Sequence, residues 1–284
     1  MEIQSQYELS LTKKFGKVIW SKFLKGIKTY ELIQPNDKIA VCISGGKDSM
    51  LMAMCMKRLV KYSEIQVEVV FLVMDPGYHE INRQKIIDNA ALLDIPIKVF
   101  DTGIYDAVAK VDDHPCYLCA RMRRGYLYKT AQELGCNKIA LGHHFDDVIE
   151  TILMGMLYGS QVQTMMPKIH SENYPGMQLI RPLYLVREAD IIHWKQYHDL
   201  QFIQCACRFT ENCTMCDNGG GGSKRQEIKA LLKQLRAVNP AIDMNIFRSV
   251  ENVNLRTIIS YHDGKEYHHF LKRFREDTHA DDLS

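Results

Sequence analysis

The sequence has no apolar run long enough to cross a membrane, and it carries little net charge. Of its 284 residues, 46% are hydrophobic and 25% are charged, which is ordinary for a globular domain. No stretch approaches the roughly 18 apolar residues of a transmembrane helix, and the first residues show no signal-peptide pattern. The formal net charge is only +2, so total charge alone does not indicate nucleic-acid binding. We therefore expect a cytoplasmic protein without a membrane partner.

The most informative motif is a phosphate-loop candidate that lacks the Walker pattern. Residues Ser44–Ser49 follow an apolar run, Lys38–Ile43, and precede apolar residues at helical spacing. This order predicts a buried strand, a tight turn and a helix start. Gly45 and Gly46 allow the backbone N–H groups to face an anion at the helix N-terminus, and Lys47 adds positive charge. The alternative is a serine-rich loop that only caps an ordinary helix.

The alternation of elements predicts an α/β fold with a doubly wound parallel sheet. Apolar runs at 38–43, 67–75, 97–101 and 138–142 alternate with helical patterns at 50–62, 80–93 and 119–134, as in βαβ units. Ligands of such sheets bind at the carboxyl ends of the strands, where Ser44, Asp75, Gly142 and His143 lie. We expect three parts: a basic helical extension (1–35), an ATP-binding domain (36–204), and a cysteine-containing loop with a C-terminal helical extension (205–284).

The chain has nine cysteines, too many in a cytosolic protein to be read as a disulfide scaffold. Cys42, Cys55 and Cys136 lie at apolar or turn positions and are expected to be structural. The other six form two groups, which are Cys116 with Cys119 and then Cys205, Cys207, Cys213 and Cys216. The spacing favours a metal over free thiols or a redox dithiol, but it does not separate zinc from an iron–sulfur cluster.

Basic residues concentrate in three places despite the low net charge. These clusters are Lys13, Lys14, Lys17, Lys22, Lys25 and Lys28, then Arg121, Arg123 and Arg124, and then Lys272, Arg273 and Arg275. Each cluster taken alone is compatible with a solvated surface. Three of them beside a nucleotide loop favour a polyanionic partner.

Several motifs together resemble a known family. Ser44–Ser49 resembles the loop of the ATP pyrophosphatase (PP-loop) superfamily. With the stretches 115–125 (PCYLCARMRRG), 140–147 (ALGHHFDD) and Glu150-Thr151, and with Arg181-Pro182-Leu183 and Arg187-Glu188, the chain resembles the tRNA 2-thiocytidine synthetases over residues 12–238. The related T-loop 2-thiouridine synthetases carry zinc fingers at both ends. No cysteine precedes Cys42 or follows Cys216 here, which argues against that branch.

The resemblance implies a reaction and its cofactors. ATP would adenylate the C2 oxygen of a tRNA cytidine at anticodon-loop position 32, and sulfur would replace that oxygen. Three cysteines would hold a [4Fe–4S] cluster, and Cys116 and Cys119 match two of them. Cys207 is the expected third ligand, with Cys205 or Cys213 as alternatives. The spare cysteines are free or bind a second metal such as Zn²⁺.

The resemblance also implies roles for the loop residues. The ATP phosphates would lie with Mg²⁺ on the residues Ser44, Gly45, Gly46, Lys47, Asp48 and Ser49. Asp48 would help to place the metal ion and Lys47 would neutralise charge. Asp75 would contact the ribose or adenine. Gly142 would let the backbone approach the nucleotide, while His143 and Asp147 would lie near the phosphates or the target base.

Partners and competing functions follow from the same resemblance. We expect tRNA as substrate, sulfide or a cysteine desulfurase-type donor as sulfur source, and a homodimer. The competing hypotheses are a PP-loop enzyme for another tRNA base, such as a 2-thiouridine thiolase or a lysidine synthetase-like ligase, and a non-catalytic nucleotide-binding redox sensor.

Overall fold

The computed structural model describes residues 6–109, 111, 115–203 and 224–281, and the side chains at 115, 116 and 276–281 lie outside that description. Contacts group the chain into two units, Met1–Leu231 and Leu232–Ser284. The three-part division expected from the sequence stays a proposal. None of the described helices is both long enough and apolar enough to span a lipid bilayer.

The N-terminal residues form helices that pack through one narrow apolar face. These elements are α1 (Gln6–Thr12), a π-helical turn (Gly16–Trp20) and α2 (Ser21–Thr29). Phe15, Ile19 and Phe23 recur every fourth residue and are fully buried, because residues i and i+4 lie on one helix face. Val18 and Leu24, which are also apolar, lie off this face and are partly exposed.

A six-stranded sheet forms the centre of the first unit, and helices connect its strands. The elements are β1 (Lys38–Ile43), α3 (Lys47–Tyr62), β2 (Glu68–Asp75), α4 (Glu80–Leu92), β3 (Ile97–Asp101), α5 (Ile104–Val108), α6 (Pro115–Glu133), β4 (Lys138–Ala140), α7 (Phe145–Gly159), β5 (Lys168–His170), β6 (Gln178–Ile180) and α8 (Glu188–Tyr197). The strand order is β3-β2-β1-β4-β6-β5.

The topology places a ligand crevice between β1 and β4. Strand β1 pairs in parallel with both β2 and β4, so the chain leaves the carboxyl end of β1 on one side and that of β4 on the other. In doubly wound sheets the ligand binds at this switch point. The motifs after Ile43 and Ala140 therefore meet there, which confirms the predicted fold class.

Two details of the sheet differ from the sequence-based expectation. The edge strand β5 pairs antiparallel with β6. It has only three residues, all exposed, which is too short for an alternating pattern to be recognised. Strand β4 ends at Ala140 rather than at Gly142, although the N–H of Leu141 still donates to the carbonyl of Ile180.

The apolar core explains why α3 is the most enclosed helix of the sheet layer. Its residues 49–56 are all buried, and they pack among the buried residues that include Ile39, Val41 and Ile43 of β1. A helix that is apolar on all sides is typically buried in the core. The start of α3, and with it the glycine loop, is thus held in place by packing.

The second unit contains short helices and a hairpin, of which the sequence analysis did not predict the hairpin. Helix α9 (Lys224–Val238) begins in the first unit and ends in the second, where α10 (Ile242–Ser249), an antiparallel hairpin of β7 (Ser260–Asp263) and β8 (Glu266–His269), and α11 (Phe270–Asp281) follow. Within this unit Arg236 Nε donates to both carboxylate oxygens of Asp243, at 2.9 and 3.0 Å.

Candidate functional site

The glycine loop is closed by Ser49, the second hydroxyl of the motif. Ser49 Oγ donates to the carbonyl of Gly46 (2.9 Å) and accepts from the N–H of Ser44 (3.2 Å). Gly45 has φ +84°, and a Cβ there would lie 2.6 Å from both Ile203 and Ile86. Both the left-handed backbone and the neighbouring side chains therefore require glycine. Because Ser49 is buried and hydrogen-bonded to the loop, its hydroxyl stabilises the loop conformation.

Gly142 allows the start of α3 to pack against the end of β4. A Cβ at this position would lie 3.0 Å from the backbone nitrogen of Ser49 and 3.1 Å from the carbonyl carbon of Asp48. These are backbone atoms, so the neighbour cannot rotate away. The expected close approach at Gly142 therefore occurs within the protein itself, and its contact with a nucleotide stays a proposal.

A cleft of about 500 Å³ opens at the switch point. Its lining includes six of the predicted site residues, which are Ser44, Asp48, Ser49, Gly142, His143 and Asp147. On the other side α6 contributes Ala120, Arg123, Arg124 and Leu127. The glycine loop and the helix that begins at the cysteine pair thus form two walls of one cavity.

Asp48 presents an oxygen that the described part of the chain leaves without a hydrogen bond. Its Oδ2 accepts from Lys47 Nζ at 3.1 Å, whereas its buried Oδ1 has no hydrogen-bond partner. Burial raises the pKa of Asp48, and Lys47 partly offsets that effect. Carboxylate oxygens are the ligands that Mg²⁺ takes beside phosphates. The site therefore fits a cation that accompanies ATP.

His144 and Asp147 cap α7 with reciprocal hydrogen bonds. His144 Nδ1 accepts from the N–H of Asp147 (3.3 Å), and Asp147 Oδ2 accepts from the N–H of His144 (3.0 Å). In the neutral ring the hydrogen then lies on Nε2, which is 3.8 Å from Asp48 Oδ1. His144 and Asp147 therefore form a capping box, and Asp147 also lines the cleft.

His143 faces the cleft as an uncharged ring. Burial, with a further contribution from Arg181, lowers the pKa of His143 to about 4. Its Nδ1 is buried without a hydrogen bond among the described residues. At neutral pH His143 is consequently suited to hydrogen bonding with a base or phosphate, but not to supplying positive charge.

Asp75 is engaged by its own loop. Its Oδ1 accepts from the N–H groups of Gly77 (2.8 Å) and Tyr78 (2.7 Å), and its Oδ2 accepts from Arg83 Nη1 (2.8 Å). Met74, rather than Asp75, lines the cleft. The geometry gives Asp75 a turn-forming role, and its predicted contact with ribose or adenine remains a proposal.

The cysteine pair lies in the first turns of α6. Cys116 and Cys119 are three residues apart, so they share a helix face, and Cys119 is half-buried against the apolar core. The side chain of Cys116 lies outside the described residues, as do Cys205, Cys207, Cys213 and Cys216 entirely. Within the described part, no three histidine, cysteine or acidic side chains converge as metal ligands. The pair therefore fits part of a cluster site, and the third ligand is untested.

The site region contains four charged residues that the sequence analysis did not assign to it. Arg225 Nη1 donates to Asp147 Oδ1 (3.2 Å), and Lys229 Nζ donates to Glu188 Oε2 (3.3 Å). Both also approach the buried Glu150, at 3.7 and 3.9 Å. Burial raises the pKa of Glu150 to about 7, against the lowering effect of Lys229 and Arg225.

The sequence contains a signal for these four charged residues, but the signal is ambiguous. Arg225 and Lys229 are four residues apart and so share one face of α9, and Glu188 belongs to the Arg187-Glu188 pair of the family pattern. In the structure part of that face pairs with carboxylates of the first unit.

Comparisons with known proteins agree with the geometry. The PP-loop domain family matches residues 17–208. A tRNA-cytidine(32) 2-sulfurtransferase of Alkalilimnicola ehrlichii is 35% identical over 233 residues, covering 80% of this chain and 70% of that protein. One of Vibrio campbellii is 36% identical over 260 residues, covering 89% and 83%.

A solved structure supports the fold. The U34-tRNA thiolase NcsA from Methanococcus maripaludis, with its [4Fe-4S] cluster, superposes with a TM-score of 0.63. The match covers 84% of this chain and 80% of that one at 20% identity, so it supports the shared architecture alone.

Proposed function

The chain belongs to the PP-loop family and, within it, to the tRNA-cytidine(32) 2-sulfurtransferases, and we propose that it uses ATP to replace the C2 oxygen of cytidine 32 in tRNA with sulfur. The observation that carries this proposal is that the glycine loop and the cysteine-bearing helix α6 wall the same cleft. Activation by ATP and sulfur transfer must act on one base, so the two sets of residues need to face one cavity.

The loop side would bind and activate ATP. The N–H groups at the start of α3 and the ammonium of Lys47 would hold the phosphates, and Asp48 Oδ1 would bind Mg²⁺. The C2 oxygen of cytidine then forms a bond to the α-phosphorus, and the bond from that phosphorus to the bridging oxygen breaks with loss of pyrophosphate. Gly45, Gly46 and Ser49 would contribute by fixing the loop backbone.

The α6 side would hold the sulfur chemistry. Cys116 and Cys119 would bind a [4Fe–4S] cluster together with Cys207, or with Cys205 or Cys213 in its place. When bound, a cluster held by only three cysteines would supply one iron without a protein ligand, at which sulfur can be held. The N-terminal end of α6 favours the thiolate form of cysteines placed there. The remaining cysteines are candidates for Zn²⁺.

The cleft residues between these sides would recognise the RNA. Arg123 and Arg124 line the cavity and are suited to tRNA phosphates. His143, uncharged at neutral pH, would hydrogen-bond the splayed base together with Asp147, as proteins commonly do with unstacked loop bases. Sulfide or a cysteine desulfurase-type donor as sulfur source, a homodimer and a cytoplasmic location complete the proposal.

The test is in vitro thiolation by the full chain purified without oxygen. Unmodified tRNA, ATP, Mg²⁺ and sulfide are added, and the digested nucleosides are analysed together with AMP. We expect 2-thiocytidine, one AMP per modified base and about four irons and four sulfides per chain. A 2-thiouridine product would assign the enzyme to another base. AMP formation with no thionucleoside would indicate a ligase, and no tRNA-dependent AMP would indicate a sensor.

A further inference from the structure

Two carboxylates on different helices orient the ammonium group of Lys47. Its Nζ donates to Asp48 Oδ2 at 3.1 Å and to Glu188 Oε1 at 3.0 Å. A lysine side chain is a flexible stem with three donors at its end. With two donors fixed, the third has a defined direction. Glu188 therefore removes much of the freedom that Lys47 would otherwise have beside the glycine loop.

Glu188 is itself anchored at both ends. Its backbone N–H donates to Oδ2 of the buried Asp146 at 2.8 Å, which ties the start of α8 to the start of α7. Its second carboxylate oxygen accepts from Lys229 at 3.3 Å. A side chain that is held at its backbone and at both oxygens can serve as a fixed reference for a mobile amine.

The charges of this group reinforce one another. Burial disfavours the ionised form of Glu188, but Lys47 and Lys229 outweigh it and hold the pKa of Glu188 at about 2. Burial likewise opposes the charge of Lys47, whereas Asp48 and Glu188 raise the pKa of Lys47. Each partner therefore favours the charged form of the other, and the ion pair is present in the structure.

The sharing of Lys47 also affects Asp48. Because Glu188 takes one of the ammonium donors, Asp48 keeps Oδ1 without a hydrogen bond among the described residues. Without Glu188, Lys47 would turn wholly towards Asp48 and compete with a cation there. We propose that Glu188 is a positioning residue, which directs Lys47 at the phosphates and keeps Asp48 available for the cation that accompanies ATP; this inference rests on the proposed ATP-dependent function.

A purely structural ion pair is the alternative to exclude. Lys47 and Glu188 are each about one quarter exposed, and Lys47 keeps Asp48 as a partner when Glu188 is changed. Buried apolar residues of α3 and α8, among them Met50, Ile191 and Trp194, already belong to one core. The two helices therefore pack together without the ion pair, and Glu188→Gln should still fold, with a lower melting temperature than the wild type.

The test is a double-mutant cycle in the full-length protein. Glu188→Gln, Lys47→Ala and the double variant are compared for ATP affinity by calorimetry and for tRNA-dependent AMP formation. We expect Glu188→Gln to lower kcat by about 100-fold, as for misplacement of a catalytic group, and to raise the Mg²⁺ concentration at half-maximal rate. The double variant should lose no more than Lys47→Ala alone, because Glu188 acts through Lys47.

Two further variants complete the design. Glu188→Asp should recover part of the activity, whereas Glu133→Gln, an exposed glutamate late in α6, should match the wild type. Additive losses in the double variant, or an unchanged Mg²⁺ requirement in Glu188→Gln, would overturn the proposal. If the wild type forms no 2-thiocytidine, the proposed function fails, while the ATP titrations still decide whether Glu188 and Lys47 are coupled.

Discussion

The two helices that wall the cleft differ in how firmly the rest of the fold encloses them. In α3 every residue from Ser49 to Met56 is buried. In α6, by contrast, only Tyr128 and Ala131 are buried among the residues with described side chains, and Tyr117 near its start is 71% exposed. One wall is held by packing on all sides, and the other mostly presents its surface.

This difference corresponds to the two halves of the proposed chemistry. Phosphate binding needs backbone donors that are fixed before the ligand arrives, and packing around α3 supplies that. On the α6 side, the bound cluster and the RNA would supply contacts that the protein fold does not provide. Substitutions that disturb the packing of α3 should therefore lower both the stability of the protein and its affinity for ATP. Substitutions at the start of α6 should abolish sulfur transfer and leave ATP binding intact.

The strongest way to separate the two walls is to remove a cysteine. Cys119→Ala should abolish 2-thiocytidine formation and iron content, because a cluster held by three cysteines loses a ligand. ATP affinity, measured by calorimetry, should stay within about twofold of the wild type. Cys136→Ala, at a buried position outside the cleft, is the control and should retain iron. Full thiolation by Cys119→Ala would remove Cys119 from the cluster.

The packed wall is tested at Gly142. Gly142→Ala places a methyl group about 3 Å from the backbone of Asp48 and Ser49, so the start of α3 must shift. We expect a loss of about 1–3 kcal/mol in the free energy of unfolding and at least a tenfold loss of ATP affinity.

The matched control for that change is Gly103→Ala. A Cβ at Gly103 meets no atom within 4 Å, and its φ of −83° suits any residue. Denaturant unfolding and ATP titration of both variants give the comparison. Equal effects of the two substitutions would show that close packing at Gly142 is not what holds the loop.

A pH series tests Glu150, a buried carboxylate close to Arg225 and Lys229. Burial raises the pKa of Glu150 in the folded chain from 4.5 to about 7, so between these values the folded protein retains a proton that the unfolded chain has released. The stability that this proton gives is complete below about pH 4.5 and is lost as the pH rises through about 7.

Glu150→Gln removes that dependence. The stability of the wild type relative to Glu150→Gln should therefore fall by about 3 kcal/mol from pH 4.5 to pH 8, since each pKa unit between 4.5 and about 7 corresponds to about 1.4 kcal/mol. Denaturant titrations at several pH values measure it. For Glu133→Gln, on the exposed face of α6, the difference from the wild type should change little with pH. A flat difference for Glu150→Gln would contradict the raised pKa.

The smallest effect is expected on the outer face of α6. Lys129 and Glu133 are both about two-thirds exposed, and their charged atoms are 4.0 Å apart. Exposed pairs at this spacing contribute about 0.5 kcal/mol or less. Lys129→Ala should therefore leave unfolding, ATP affinity and thiolation nearly unchanged, with Lys129→Arg as the charge-preserving control. A loss above about 1 kcal/mol would mean that α6 is less tolerant than its exposure indicates.

Much of the fold and part of the site follow from local sequence patterns. The strands β1 to β3 and the helices between them are close to their predicted ranges, because apolar periodicity and glycine turns act over a few residues. The residues Ser44, Asp75, Gly142 and His143 were expected at one sheet edge. Ser44, Gly142 and His143 line one cleft, whereas Asp75 is bonded within its own turn. Strand β5 and the β7–β8 hairpin were missed, because three or four mostly exposed residues carry too little pattern.

By itself the sequence determined the family, the doubly wound sheet and the identity of the glycine loop and cysteine pair, since each depends on neighbouring residues. Only the tertiary structure decided which side chains are available. Asp75 is hydrogen-bonded within its own turn, and Ser49 is hydrogen-bonded to the glycine loop. Asp48 Oδ1 has no hydrogen bond among the described residues, and Glu188 pairs with Lys47, which lies 141 residues away in sequence. Such pairings are set by packing between distant segments, which no local pattern encodes.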